Sequence, residues 1–119
     1  MKKRILYVED DAINALVMEK LLAQYYTVIH RPDGEGGLNA IHDETFELVL
    51  MDINLGQGKM DGIETMKKMK ALFQSVKVIA VTSYALPEDK ARFMAEGFDD
   101  YIPKPVDRGV MLERIGRFL

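Results

Sequence analysis

The sequence predicts an α/β fold in which a doubly wound, five-stranded parallel sheet is covered by five helices. Short aliphatic runs alternate with segments of helical spacing along the whole chain, and Gly, Pro, Asp or Asn residues bound the runs. Alternating strands and helices form right-handed βαβ units, and therefore a parallel sheet. Residues 1–119 are predicted to form one domain, because a chain of this length holds one core and leaves no room for a second.

The five predicted strands differ in how apolar their two faces are. The first, third and fourth are apolar on both faces, as central strands covered by helices must be. The second and fifth are more mixed and fit the two edges of the sheet. The predicted strands are Arg4–Val8, Thr27–His30, Glu47–Met51, Lys77–Val81 and Asp100–Pro103.

The segments between the strands have the spacing of helices that pack on one side. The predicted helices cover residues 11–24, 34–43, 62–73, 87–97 and 107–119. Pro87 stands at a first-turn position, Gly97 ends the same helix, and Asp107 is a predicted N-terminal cap. The helical side chains predicted to face the core are Asn14, Val17, Met18, Leu21, Leu22, Ile63, Met66, Met69, Phe73, Met111, Ile115 and Phe118. Core packing is also favoured for Phe93 and Met94, with contact at an exposed surface as the alternative.

Composition excludes several classes of function. The chain has no cysteine, which excludes disulfides, thiolate metal sites and thiol nucleophiles. Its net charge is −3 and its basic residues are scattered, so it lacks the basic stripe of a nucleic-acid surface. The N-terminal segment MKKRILYVEDD starts with basic residues, but its apolar run is too short for a signal peptide or a membrane span. We therefore expect a cytoplasmic domain with no nucleic-acid or membrane partner.

Polar side chains gather where the predicted strands end. Singly, each has an ordinary explanation: an Asp forms turns, acids cap helices, and a Lys is usually solvated. In open parallel sheets, however, ligands bind outside the carboxyl ends of the strands, and the fold brings these ends side by side. The side chains that follow the strands there are Glu9, Asp10, Asp11, Asp52, Asn54, Thr82, Ser83 and Lys104.

Electrostatics indicates what such a site would bind. Two carboxylates about 5 Å apart repel by roughly 3 kcal/mol at an effective dielectric near 20. Acids that converge on Asp52 would therefore destabilise an empty site, and a cation would remove the repulsion. Oxygen ligands without Cys or His favour Mg²⁺ or Mn²⁺. With the amine of Lys104 and the hydroxyl of Thr82 nearby, the predicted site suits phosphoryl transfer onto Asp52.

Four motifs, ILYVEDD, LVLMDIN, VIAVTSYA and DDYIPKPVD, resemble in order and spacing the receiver domain of bacterial response regulators. The resemblance covers the whole chain and implies the flavodoxin-like strand order 2-1-3-4-5. It also implies that Asp52 accepts a phosphoryl group from a phosphohistidine on a sensor histidine kinase or a histidine phosphotransfer protein. Such a domain is not a classical enzyme, but it catalyses its own Mg²⁺-dependent aspartyl phosphorylation and dephosphorylation. VEDDAIN and DDYIPKP are closer to stand-alone receivers, or to those of hybrid kinases and phosphorelays, than to receivers fused to DNA-binding domains.

The resemblance implies a set of metal-binding and lifetime-tuning residues. Asp10 and Asp52 would ligate Mg²⁺ directly, Glu9 would act through water, and the backbone carbonyl of Asn54 would be the third protein ligand. Mn²⁺ can substitute for Mg²⁺. Asn54 and Tyr84 would flank the path of the hydrolytic water and tune the lifetime of the aspartyl phosphate.

The resemblance also implies the residues that bind the phosphoryl group and transmit the signal. Lys104 would pair with the phosphoryl oxygens, and the bond between Lys104 and Pro105 is expected to be cis. Thr82 and Tyr101 would be the switch pair, which moves inward after phosphorylation. We expect the output surface to lie around Tyr101. We expect the phosphohistidine donor to bind at the start of the first helix, near Ile13. The downstream protein partner is unknown, and a phosphorylation-dependent dimer is left open.

Four other classes of protein share parts of this pattern. A Mg²⁺-dependent nuclease or primase-type domain and an Asp-nucleophile phosphatase both typically have an acid where Asn54 stands. A pseudo-receiver that acts only by docking usually lacks an acid, the Thr or the Lys. A flavodoxin-like FMN protein has a Ser/Thr phosphate loop in place of Glu9, Asp10 and Asp11. The complete set of residues therefore favours a phosphoacceptor.

Overall fold

The computed structural model describes residues 2–53, 61–84 and 86–119. Its elements are β1 Lys3–Val8, α1 Ala12–Leu22, β2 Tyr26–Arg31, α2 Gly34–Asp43, β3 Leu48–Asp52, α3 Gly62–Leu72, β4 Val78–Thr82, α4 Pro87–Glu96, β5 Asp100–Pro103 and α5 Arg108–Gly116. The strands form one parallel sheet in the order β2-β1-β3-β4-β5. The predicted fold class and strand order are confirmed. Within the described ranges, no helix is long and apolar enough to cross a membrane.

The register of the sheet sets the positions of the strand ends. β3 and β4 each extend one residue beyond the predicted strand, because Asp52 still pairs with Val81 and Thr82 still pairs with Pro103. Asp52 and Thr82 are thus the last residues of two neighbouring strands. Since all neighbouring strands are parallel, their carboxyl ends meet at one edge of the sheet.

The two faces of the sheet carry two separate cores. Alternate side chains of β1 point to opposite faces, with Leu6 and Val8 in one core and Ile5 and Tyr7 in the other. The first core is completed by residues of α2, α3 and α4, and the second by residues of α1 and α5. Every residue of β3 and β4 is buried, whereas every residue of β2 is half-buried, which confirms that β2 is an edge strand.

The buried stripe of α1 differs from the prediction. Ala15, Met18 and Leu22 are buried, whereas Asn14 and Val17 are exposed. The prediction for Asn14 and Val17 was therefore wrong. Positions 15, 18 and 22 lie three and four residues apart, so they form one stripe along the helix. Asn14 and Val17 each precede a residue of this stripe and therefore fall outside it. The short Ala15 side chain, rather than the larger Val17, faces the sheet.

The aromatic side chains also separate core from surface. Phe93 of α4 is fully buried and packs edge to face against Phe98, with ring centroids 6.1 Å apart. The next residue, Met94, is 41% exposed, so its predicted core position was wrong. Successive residues of a helix point about 100° apart, so Met94 points away from the core that Phe93 enters. Phe73, which follows α3, is also partly exposed rather than a full core residue.

Candidate functional site

Three carboxylates converge where β1 and β3 end. Glu9, Asp10 and Asp52 each place a carboxylate oxygen within 4.8 Å of the other two. The side chain of Glu9 is 1% exposed and that of Asp52 is nearly as buried, whereas Asp10 is exposed. The structure therefore brings together the acids that the sequence placed at neighbouring strand ends.

Asp11 has a different position from the other acids of the EDD motif. Its carboxylate accepts hydrogen bonds from the backbone N–H groups of Ile13 and Asn14, at 2.8 and 3.0 Å. It is thus the N-terminal cap of α1. The cap starts α1 directly after Glu9 and Asp10, so these two acids lie in the short link between β1 and α1.

Lys104 supplies a positive charge between two of the acids. Its Nζ atom lies 3.2 Å from Asp52 Oδ1 and 3.5 Å from Glu9 Oε1. Its backbone N–H donates to the Thr82 carbonyl at 2.7 Å, which ties the segment after β5 to the end of β4. The Lys104–Pro105 peptide bond is cis, the form that the resemblance implied.

The predicted switch residues lie in different surroundings. Thr82 is buried, and its Oγ1 atom accepts a hydrogen bond from the backbone N–H of Tyr84 at 3.0 Å. Tyr101 is half-buried, with Lys90 Nζ 5.4 Å and Arg114 Cζ 5.0 Å from its ring centroid. These cations, from α4 and α5, hold the ring in contact with both helices.

The two predicted tuning positions are only partly described. The side chain of Tyr84 is about half exposed. Asn54, predicted both as a backbone-carbonyl ligand and as a tuning residue, lies outside the described residues.

Burial and repulsion make Glu9 difficult to ionise. Burial, and then the neighbouring Asp52 carboxyl, raise the pKa of Glu9 to about 7, although Asn14 and Lys104 oppose the shift. Burial also raises the pKa of Tyr7, and the charges of Glu9 and Asp52 add to that rise. Both shifts arise first from burial and then from the neighbouring acidic side chains.

The cluster has the donors that a hard divalent cation requires. All three groups are carboxylates, which suit Mg²⁺ or Mn²⁺ rather than softer metals. Glu9 Oε2 is buried and has no hydrogen-bond partner among residues 2–53, 61–84 and 86–119. A buried carboxylate oxygen without a partner is costly, and a bound cation or its water would satisfy it. The residues present therefore fit such an ion.

A glycine allows α3 to approach the backbone of Asp52. The Gly62 N–H donates to the Ile53 carbonyl at 3.1 Å, and a Cβ atom at Gly62 would overlap the carbonyl oxygen of Asp52. Asp61 caps the same helix by accepting from the backbone N–H of Glu64 at 2.7 Å. The Asp–Gly pair thus packs the start of α3 directly against the end of β3.

His30 was missed by sequence reasoning. It belongs to no recognised motif, yet its Nε2 atom lies 2.6 Å from the carbonyl oxygen of Glu9. Only the register could have shown this, because His30 is paired with Tyr7, two residues before Glu9. The resemblance implies which strands are neighbours, but the sequence does not specify their pairing residue by residue.

Comparison with known proteins shows what this chain resembles. A family model described as the response regulator receiver domain matches residues 5–116. The transcriptional regulatory protein ZraR of Escherichia coli (strain K12) is 34% identical over 104 residues, which cover 87% of this chain and 23% of ZraR. The sensor protein GacS of Pseudomonas syringae pv. syringae is 31% identical over 109 residues, covering 87% of this chain and 12% of GacS. The chain thus spans a quarter or less of the length of these relatives.

Solved structures agree with the family match. The response regulator receiver domain protein (CheY-like) of Methanospirillum hungatei JF-1 superposes with a TM-score of 0.86 at 36% identity, over 98% of this chain and 93% of that one. The receiver domain of the sensor histidine kinase PA1611 from Pseudomonas aeruginosa PAO1 gives a TM-score of 0.88 at 28% identity, over 99% and 98%. That structure is described with a magnesium ion coordinated in its active site cleft. These relatives include both a transcriptional regulator and sensor kinases. They therefore do not decide whether this receiver is closer to those of regulators or to those of kinases.

Proposed function

Because this chain belongs to the response regulator receiver domain family, we propose that Asp52 accepts a phosphoryl group from a phosphohistidine on a partner protein. The donor would be a sensor histidine kinase or a histidine phosphotransfer protein. The main support is the convergence of buried Asp52 with Glu9, Asp10 and Lys104. A phosphoacceptor requires this combination, since groups that bind the charge in transfer must surround its carboxylate.

The transfer step exchanges one bond to phosphorus for another. A carboxylate oxygen of Asp52 attacks the phosphorus in line with the bond to the imidazole nitrogen of the donor. As the new P–O bond forms, the P–N bond breaks and its electron pair returns to the ring. The ring leaves as neutral imidazole when its other nitrogen carries a proton. The product is an acyl phosphate on Asp52, and nothing is oxidised or reduced.

The acidic cluster would hold the divalent cation that this step requires. Asp10 and Asp52 would ligate Mg²⁺ directly, Glu9 would act through water, and the carbonyl of Asn54, outside the described residues, would complete the protein ligands. Mn²⁺ would substitute. When bound, the ion neutralises the charge of the incoming phosphoryl oxygens. Two observations support this assignment: Glu9 Oε2 has no hydrogen-bond partner in the described part of the chain, and the PA1611 receiver is described with magnesium in its cleft.

Lys104 and Thr82 would bind the phosphoryl group once it is attached. The Lys104 amine already lies within hydrogen-bonding distance of Asp52, so a small movement would place it on a phosphoryl oxygen. The Thr82 hydroxyl would move toward the same group, and the Tyr101 ring would follow. This movement would alter the surface formed by α4, β5 and α5, to which an unidentified downstream protein, or a second copy of the domain, would bind.

Intact-mass spectrometry with a small phosphodonor tests the proposal. Incubated with Mg²⁺ and acetyl phosphate or phosphoramidate, the wild type should gain one phosphoryl group and Asp52→Asn should gain none. A chelator should stop the reaction, because the donor would then meet unneutralised carboxylates. Equal labelling of the variant would overturn Asp52 as the acceptor.

A further inference from the structure

His30 contacts the backbone of Glu9 from the neighbouring strand. It lies near the end of β2, and its Nε2 atom is 2.6 Å from the Glu9 carbonyl oxygen. Because a carbonyl oxygen only accepts hydrogen bonds, Nε2 must carry a proton and donate. The ring also packs at a tilt against Tyr7, with centroids 6.4 Å apart, and this contact limits its rotation.

The backbone of Glu9 is thereby held on both of its polar groups. Its N–H donates to the Arg31 carbonyl at 3.0 Å, and its carbonyl accepts from His30. The regular pairing of β1 with β2 ends one residue earlier, at Val8 and Arg31. A side chain therefore supplies the donor at the point where the strand pairing stops.

Glu9 needs such a restraint because its neighbours in the cluster repel it. Its buried carboxylate lies beside that of Asp52, and Asp10 follows directly in the chain. Without a cation, repulsion favours any movement of residues 9 and 10 away from Asp52. Lys104 opposes this movement only through a 3.5 Å contact that is shared with Asp52.

We propose that His30 is a positioning residue for the acidic cluster. Its ring holds the Glu9 carbonyl, and so keeps the carboxylates of Glu9 and Asp10 directed toward Asp52 before a cation binds. The inference rests on the proposed metal-dependent function. Loss of the hydrogen bond would let the metal-free loop relax, and part of the binding free energy of Mg²⁺ would then be used to restore the geometry.

Mg²⁺ titration followed by heteronuclear NMR tests this role, because it reports both affinity and folding without phosphorylation. His30→Leu removes the donor, whereas His30→Gln keeps an amide N–H at a similar reach from the backbone. Val28→Ala is the matched control, since Val28 is half-buried in the same strand and packs against the α1 and α5 core. It should lower stability by removing apolar contacts without affecting Glu9.

We expect His30→Leu to bind Mg²⁺ about ten-fold more weakly than the wild type, and His30→Gln and Val28→Ala to stay within about three-fold of it. Wild-type affinity in His30→Leu would overturn the role of His30, and so would a His30→Gln variant as weak as His30→Leu. Equal weakening in Val28→Ala would show general loosening of β2 instead. A wild type that binds no Mg²⁺ would overturn the proposed metal site itself, and the role of His30 with it.

Discussion

Lys104 Nζ lies 3.2 Å from Asp52 Oδ1, so an ammonium group lies directly beside the proposed phosphoacceptor. The same nitrogen lies 3.5 Å from Glu9 Oε1. Removal of one partner of a largely buried ion pair leaves an uncompensated charge, which costs more than the pair contributes. Two opposite consequences follow for the metal-free protein and for its affinity for cations.

Lys104→Met should destabilise the metal-free protein by about 1–3 kcal/mol, because Glu9 and Asp52 then repel without a cation between them. It should also tighten Mg²⁺ binding several-fold, since the ion no longer competes with an ammonium group. Urea unfolding in chelator and a Mg²⁺ titration measure the two effects. Lys68→Met is the control, because Lys68 lies on the exposed face of α3 and pairs only with Glu64 among the described residues. Weaker Mg²⁺ binding by Lys104→Met would contradict the expected competition.

Glu9 should make the metal-free protein less stable as pH rises. Its pKa is raised to about 7 in the folded state, so the folded protein binds the proton more tightly than the unfolded chain does. The stability this provides is complete below the unfolded pKa and is lost as pH rises through the folded value. Between about pH 5 and about pH 8, the loss should be about 2 kcal/mol.

Glu9→Gln isolates this contribution, because glutamine keeps the shape of the protonated acid but does not ionise. In chelator, the advantage of the variant over the wild type should be larger near pH 8 than near pH 5 by about 2 kcal/mol. Urea unfolding at the two pH values measures the difference. Parallel pH profiles of the two proteins would show that Glu9 ionises as easily in the folded state as in the unfolded chain.

Phosphorylation should expose the amide of Tyr84 to exchange. That N–H donates to Thr82 Oγ1 at 3.0 Å, and the proposed inward movement of the Thr82 hydroxyl would remove its acceptor. Hydrogen exchange of the Tyr84 amide should therefore be faster in phosphorylated wild type, and also in unphosphorylated Thr82→Ala. Asp52→Asn incubated with the same donor serves as the control. Unchanged protection after full phosphorylation would rule out this movement.

The start of α1 should bind the phosphohistidine donor. Ile13 is 74% exposed, and Leu16 and Val17 beside it are about half exposed, so α1 presents apolar side chains that the core does not cover. Ile13→Lys should slow phosphoryl transfer from a histidine kinase or phosphotransfer protein about ten-fold or more, while labelling by acetyl phosphate stays unchanged. The ratio of the two rates is the measurement. Equal loss of both would indicate a structural role for Ile13.

Much of this site could be predicted because the strands are marked so clearly in the sequence. The buried runs of β3 and β4 end at Asp52 and Thr82, and a parallel sheet must bring such ends to one edge. The positions of Glu9 and Lys104 follow from the same rule. Topology alone therefore brought the acids and the amine together, before any side-chain geometry was known.

Details that depend on register or on small rotations could not be predicted. His30 contacts Glu9 because β2 pairs with β1 in one particular register, and the half-buried residues of β2 provide no pattern that fixes it. Asn14 and Val17 each lie one residue before a position of the buried stripe of α1. Because most of the helix is apolar, its sequence does not show which side faces the sheet. Both failures occur where the hydrophobic pattern is weak.

The identity of the phosphorylated residue tests the central claim most directly. After phosphorylation with acetyl phosphate and Mg²⁺, borohydride reduction converts an aspartyl phosphate to homoserine, and peptide sequencing by mass spectrometry then locates it. We expect homoserine at position 52 and at no other acidic residue of the cluster, and none when Mg²⁺ is omitted. Homoserine at position 10 or 11 with aspartate intact at position 52 would contradict the account.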